Sequence, residues 1–153
     1  MDQQNFSTMA VACFKQGFSC SQAIFSAFGP QLGLDKNIAL KIADGFGGGM
    51  GRMALTCGAV TGAFMVIGLK HGRQRADDHA SKQKTLRLTK EFIKRFKDRN
   101  QSISCKELLD CDISTDEGLE YLKKNGIADT RCPGFVSDAA QILEELFQEF
   151  DSE

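Results

Sequence analysis

Helix start and stop signals follow one another along almost the whole chain, and they constrain the fold more than any other feature of the sequence. Three Ser-x-x-Gln or Ser-x-x-Glu sequences, which begin at Ser19, Ser104 and Ser114, are typical of capping boxes at helix N-termini. Glycine or proline follows most of the apolar stretches, and these residues end helices. No segment alternates apolar and polar residues with the β-branched content of a strand. The sequence therefore predicts an all-α protein.

The expected architecture is a single-domain bundle of about seven helices over residues 1–153, with a glycine-rich loop at 45–51 before a buried central helix. The apolar stripes and their flanking signals predict helices at residues 5–16, 20–28, 35–45, 54–69, 75–99, a short segment after Ser104, a segment after Ser114 that ends at Asn125-Gly126, and a last helix that opens at Cys132-Pro133. The last boundary is chosen because proline favours the first helical turn.

Residues 53–69 carry no charged side chain, and they are the one stretch that resembles a membrane span. The stretch is at the short end of the spanning range and contains glycines, so a buried central helix is the better interpretation and no membrane insertion is expected. Ala54, Gly58 and Gly62 recur at every fourth position. Such a smooth strip allows close approach of another helix, either within the chain or across a two-fold interface.

Composition limits the classes of partner and the cell compartment. A chain of 153 residues buries enough surface to fold without disulfides, so the six cysteines are free for another role. The net charge of -1 lacks the basic excess of nucleic-acid binders, and no nucleic-acid partner is expected. The polar, acidic start lacks the pattern of a secretory signal. We therefore expect a cytoplasmic protein with reduced thiols.

Four of the cysteines fall at or near predicted helix starts. Cys20 and Cys105 each follow a capping serine, Cys132 precedes the first-turn proline, and Cys57 lies near the opening turn of the central helix. The unpaired N–H groups and positive dipole of a helix start favour a thiolate. Thiolates that converge repel one another unless a metal or a disulfide removes the charge. Convergence would therefore imply a cofactor or a redox couple, whereas isolated cysteines would pack as small apolar side chains.

The spacing of the cysteines excludes several known sites. The chain has no Cys-x-x-Cys and no Cys-x-x-Cys-His, so it lacks a thioredoxin-type motif, a local zinc ribbon and a covalent haem motif. Any four-cysteine site has to be assembled by the fold from distant segments.

The glycine-rich loop lacks the Gly-Lys-Ser/Thr ending of a phosphate-binding loop and any G-x-G-x-x-G spacing. Two interpretations stay open for Gly47, Gly48, Gly49 and the following Gly58. The backbone approaches a neighbour closely at a crowded helix start, or its amides donate to a cofactor sulfur.

Several segments together carry a family resemblance: G-F-S-C-S-Q-A-I from Gly17, G-F-G-G-G-M-G-R from Gly45, C-G-A-V-T-G-A from Cys57, C-K-E-L-L from Cys105, and Cys132 before an apolar helix. The ordered set resembles the redox-active protein family named for its C-GCAxxG-C-C pattern. The resemblance implies four functional cysteines: Cys20, Cys57, Cys105 and Cys132. Cys13 and Cys111 fall outside the pattern.

The family is also similar to a domain of split-Soret cytochromes, for which an iron–sulfur centre has been proposed. That likeness makes a homodimer one expectation. The leading hypothesis is electron transfer through an iron–sulfur cluster, [2Fe-2S] on the four thiolates, with an unidentified redox partner. The alternatives are a thiol–disulfide oxidoreductase or redox sensor that uses the same four cysteines, and a structural zinc site or plain buried cysteines.

Overall fold

The computed structural model describes residues 5–151, and this part of the chain is built from α-helices. The eight α-helices are α1 (Phe6–Lys15), α2 (Cys20–Phe28), α3 (Lys36–Ala43), α4 (Gly58–His71), α5 (His79–Asn100), α6 (Cys105–Leu109), α7 (Asp116–Lys124) and α8 (Ile127–Phe150). Short 3₁₀ turns occupy Pro30–Leu32 and Asp44–Phe46. Extended pairing within residues 5–151 is limited to one antiparallel bridge between Thr56 and Ser104. The all-α prediction is confirmed, and each of the eight helical segments marked in the sequence contains a helix, one more than the stated total of about seven.

The core lies around α2 and α4. Residues 21–28 of α2 are all buried, and α4 buries most of its first ten residues. Helices α1, α5 and α8 cover this pair and add fully buried side chains such as Phe92, Phe96 and Leu143. The expectation of a buried central helix is therefore confirmed. Across residues 5–151, each helix is too short or too polar to cross a membrane.

Helix α4 packs on α2 through two glycines. A Cβ atom at Gly62 would lie 3.0 Å from the carbonyl oxygen of Ser21 and 3.1 Å from the Cβ of Ile24. A Cβ at Gly58 would lie 2.9 Å from the amide nitrogen of Ser21. Ala54 does not continue this strip, because α4 begins only at Gly58 and Ala54 has a left-handed backbone. The predicted three-residue strip was wrong in that respect, and its two glycines pack within the chain.

The three predicted capping boxes have different outcomes. The box at Ser19 is confirmed, with reciprocal side-chain hydrogen bonds between Ser19 and Gln22. Ser104 caps α6, but the side chain of Glu107 accepts from Ser102 instead of completing the box. The box at Ser114 was wrong, because Thr115 is the residue that caps α7.

The last helix begins at Ile127, so the predicted opening at Cys132-Pro133 was wrong. Gly126 has a φ of 59°, and this left-handed residue both follows the end of α7 and precedes the first turn of α8. Pro133 lies inside the helix, where it lacks the N–H that would bond to the carbonyl of Asp129. The helix tolerates this loss because α8 is long and its apolar face is buried. Cys132 is thus in the second turn and not at the N-terminus.

The contact between α2 and α4 gives a test of the packing. Gly62→Ala should lower the free energy of unfolding by about 2 kcal/mol, because the new methyl group forces the two helices apart. Gly68→Ala in the same helix meets no atom within 4 Å and should stabilise by about 0.5–1 kcal/mol through helix propensity. Urea unfolding of both variants measures the difference. Equal effects of the two substitutions would contradict the close packing.

Candidate functional site

The antiparallel bridge between Thr56 and Ser104 holds Cys57 and Cys105 on its two flanks. The backbone N–H of Cys57 donates to the carbonyl of Ile103 at 2.8 Å, and that of Cys105 donates to the carbonyl of Leu55 at 2.6 Å. Each cysteine then begins a helix, Cys57 as the N-cap of α4 and Cys105 as the first residue of α6. Two segments far apart in sequence are therefore held together at the residues that flank the bridged pair.

Cys20 and Cys132 complete the group from two other helices. Cys20 is the first residue of α2, and its Cβ would lie 3.2 Å from a Cβ at Gly58, beside Cys57. Cys132 belongs to the same buried apolar cluster as Cys105, with Cys20 packed against that cluster. All four cysteines line one open cavity of about 840 Å³. The structure thus brings together the four cysteines that the sequence had singled out.

Burial makes these thiols hard to ionise. It raises the pKa of both Cys57 and Cys105 to about 12, and the neighbouring thiol of Cys132 adds to the rise at each. At Cys57 the backbone N–H groups of Ala59 and Val60 favour the thiolate and partly oppose this effect. The protein therefore holds Cys57 and Cys105 as neutral thiols at pH 7 when no cation compensates them.

Cys20 and Cys132 behave as a pair. The side-chain hydrogen bond between them raises the pKa of Cys20 well above its usual value and lowers that of Cys132. Burial and the other cysteines raise the pKa of Cys20 further. Such a pair gives up its first proton more readily than its second.

The other two cysteines lie outside the cavity. Cys13 is buried in the main core, with its sulfur 3.5 Å from the hydroxyl oxygen of Ser26. Cys111 is half-buried beside the apolar cluster that contains Cys105. All six cysteines are free thiols. The expectation that the four site cysteines occupy helix N-termini holds for Cys20, Cys57 and Cys105 but was wrong for Cys132, for the reason given with α8.

The glycine-rich loop makes a left-handed turn against the cysteines. Its positive φ angles occur at Gly48, Gly49, Met50, Gly51, Arg52 and Ala54 and range from 57° to 69°. A Cβ at Gly49 would lie 2.6 Å from the Cβ of Cys105, and one at Gly47 would lie 2.7 Å from the Cβ of Ser19. Close backbone approach is thus required at both positions.

The same loop also offers donors to the cavity. The N–H groups of Gly48 and Gly49 have no acceptor within residues 5–151, although Gly49 is buried. Gly47, Gly48, Gly49 and Gly58 all line the cavity with the four cysteines. An unpaired buried N–H costs free energy unless a ligand accepts from it. The two interpretations of these glycines are therefore compatible.

The positions of the side chains that could bind a metal bear on the kind of centre the site could hold. Between residues 5 and 151, no three His, Cys, Asp or Glu side chains converge closely enough to hold a single metal ion. The four cysteines nevertheless line one cavity. A centre that contains its own iron and sulfide atoms spans a wider gap than one ion does.

Most of the other residues that line the cavity were not predicted from the sequence. Apolar side chains from α1, α7 and α8 line it, together with Arg52 and Lys123. Arg52 could have been suspected, because it directly follows the glycine-rich loop in sequence. Nothing in the local sequence indicates that α7 reaches the cysteines.

The cysteine geometry agrees with a match in sequence. Residues 18–146 match the family described as Putative redox-active protein (C_GCAxxG_C_C), and the chain belongs to this family. Residues 57–62 read Cys-Gly-Ala-Val-Thr-Gly and carry the Ala-x-x-Gly of the pattern. In this chain Cys57 precedes Gly58, whereas the pattern has the glycine before the cysteine. No curated protein matches the chain. No solved structure matches it either.

The strained loop gives a second test. The side chain of Met50 is exposed, and its backbone has a φ of 69°. This left-handed conformation costs a residue with a side chain about 1–2 kcal/mol. Met50→Gly should therefore raise the free energy of unfolding by about 1 kcal/mol. Met53→Gly is the control, because Met53 has no positive φ and the substitution should lower stability by about 0.5–1 kcal/mol. A loss of stability in Met50→Gly, measured by urea unfolding, would contradict the left-handed turn.

Proposed function

We propose that this redox-active family member binds an iron–sulfur cluster, [2Fe-2S], on Cys20, Cys57, Cys105 and Cys132 and transfers electrons through it. The observation that carries the proposal is the meeting of four free thiols, from four separate helices, on the wall of one cavity. Four cysteine thiolates are the usual ligand set of such a cluster.

The charge balance of the site supports a cationic centre. Ionising Cys57 and Cys105 in the unliganded protein is costly, since burial and the neighbouring sulfurs raise their pKa. Iron ions would compensate the negative charge and lower these pKa values, as metals do for coordinating thiols. The free thiols at pH 7 are thus consistent with a site that is completed by metal.

The backbone supplies the second part of a cluster site. The starts of α2 and α4 lie against each other, and the N–H groups of Gly48 and Gly49 have no acceptor within the described chain. Amide donors to cluster sulfur raise its reduction potential.

Each protein group has a definable task. The bridge between Thr56 and Ser104 fixes the spacing of Cys57 and Cys105, while α2 and α8 position the other two ligands. The cluster would supply a reversible one-electron change. Since the cavity is open, an electron donor or acceptor can approach the sulfurs from solvent. We further propose a cytoplasmic location, where thiols stay reduced until metal is inserted.

The ligand assignment is tested with six single variants of anaerobically purified protein. Serine at each of Cys20, Cys57, Cys105 and Cys132 should remove most of the iron, the acid-labile sulfide and the visible absorption. Serine at Cys13 or Cys111 should retain them, because these cysteines lie outside the cavity. Reconstituted wild-type protein without iron or sulfide would contradict the proposal, and so would equal losses in all six variants.

A second candidate function is thiol–disulfide exchange between Cys20 and Cys132. The interaction between these two thiols favours it, because it lowers the pKa of Cys132 beside a second thiol that could resolve a mixed disulfide. If the protein binds no metal, oxidised glutathione should produce a single disulfide between Cys20 and Cys132. Peptide mass spectrometry after alkylation identifies the pair, and a protein that stays fully reduced under these conditions contradicts this candidate.

The raised thiol pKa values predict an alkaline loss of stability in the reduced, metal-free protein. The folded state holds the proton of Cys57 up to about pH 12, whereas the unfolded state releases it near the ordinary value of 9.0. The stabilisation is therefore complete below pH 9 and is lost as pH rises towards 12. Between pH 9 and 11, wild type should lose about 2 kcal/mol more stability than Cys57→Ala. Identical pH profiles of the two proteins, measured by urea unfolding, would contradict the burial of a neutral thiol.

A further inference from the structure

The cavity is larger than four sulfur ligands require. Its volume of about 840 Å³ falls within the range of pockets that hold small organic ligands, roughly 300–1,000 Å³. The cysteines and glycines form only part of the wall. The rest of the wall has its own chemistry, which the proposed function does not use.

One part of that wall is apolar and incompletely covered. It is formed by half-buried side chains from α1, the turn before α2, α7 and α8: Phe14, Phe18, Leu119, Leu122 and Phe135. Concave apolar surface of this kind, with a few polar groups beside it, is typical of a ligand pocket. The wall would accommodate the apolar body of a small molecule.

The polar group best placed to orient such a molecule is Arg52. Its backbone is left-handed, with a φ of 61°, and its side-chain stem packs on Gly48, where a Cβ would lie 3.2 Å from the Arg52 Cγ. No hydrogen bond or ion pair joins its guanidinium to another residue in the range 5–151. Arg52 is exposed and lines the cavity, as does Gly48, whose N–H has no acceptor within residues 5–151.

Three other charged side chains line the cavity: Lys123, Asp44 and Asp129. None of them lies within ion-pair distance of Arg52 or of another cavity charge. A guanidinium binds carboxylate and phosphate through two parallel hydrogen bonds, which an ammonium group cannot do. The lining thus carries two positive and two negative side chains, and Arg52 is the one whose guanidinium suits a carboxylate or phosphate group.

We propose that the cavity binds a small organic anion, with a carboxylate or phosphate group on Arg52 and an apolar body against the phenylalanine and leucine wall, next to the four cysteines. The inference concerns binding alone. It goes beyond the proposed function and does not require that the sulfurs hold a cluster.

Isothermal titration calorimetry with three related probes tests the inference. Benzoate, phenyl phosphate and neutral benzyl alcohol share an aromatic body and differ in the polar group. At least one of the two anions should bind with a dissociation constant at least tenfold below that of benzyl alcohol, and the tighter one identifies the anionic group. Absence of binding by both anions, or equal binding of benzyl alcohol, would overturn the proposal.

Variants locate the binding site. Arg52→Gln should weaken anion binding about tenfold, Arg52→Lys should recover part of it, and Lys123→Gln should weaken it less than Arg52→Gln does. Arg73→Gln is the control, because Arg73 is exposed and lies outside the cavity. Unchanged binding in Arg52→Gln would overturn the proposal. If Arg52→Gln does not fold, Arg52→Lys is compared with wild type instead, and unchanged binding in that variant would overturn the proposal. Iron is measured on the same samples, so the failure of anion binding and the failure of cluster binding are separate results.

Discussion

The close contact between the start of α4 and α2 is the constraint on which the rest of the site depends. At Gly58 and Gly62 the backbones approach so closely that a methyl group would meet the main chain of Ser21. This contact places the first residue of α2, Cys20, next to the N-cap of α4, Cys57. Two helix starts with unpaired N–H groups thereby face the same cavity. Larger residues at Gly58 and Gly62 would move α2 and α4 apart. The sulfurs of Cys20 and Cys57 would move apart with them.

The left-handed turn at residues 48–54 and the bridge between Thr56 and Ser104 extend this arrangement to the third cysteine. The turn lets Gly49 pack directly on Cys105, and the bridge ties the segment of Cys105 to the segment of Cys57. Strain of this kind persists only where surrounding contacts impose it, and it concentrates at functional sites. Here three residues with side chains, Met50, Arg52 and Ala54, adopt a backbone that favours glycine. The same strained loop therefore packs against Cys105 and fixes the backbone of Arg52.

Local signals in the sequence were sufficient for the presence of the helices and for the helix-start positions of Cys20, Cys57 and Cys105, whereas Cys132 was selected on a helix start that the structure does not have. The cap at Ser19 and the uncharged sequence of α4 are local features, and both the capped helix start and the buried central helix were predicted correctly. The start of α8 was not, because Pro133 is an ambiguous signal that is favoured at a first turn and tolerated here inside a long, buried helix. The left-handed turn and the bridge were also missed. The bridge depends on a contact between segments about fifty residues apart, which no local pattern reveals.

The central claim is that the four cysteines together hold an iron–sulfur cluster. X-ray absorption at the iron edge of the anaerobically prepared protein tests it most directly, because it reports the elements around iron and the presence of a second iron nearby. The account predicts iron with sulfur neighbours alone and with a short iron–iron contact. Iron with nitrogen or oxygen neighbours, or a single iron without an iron neighbour, would contradict it.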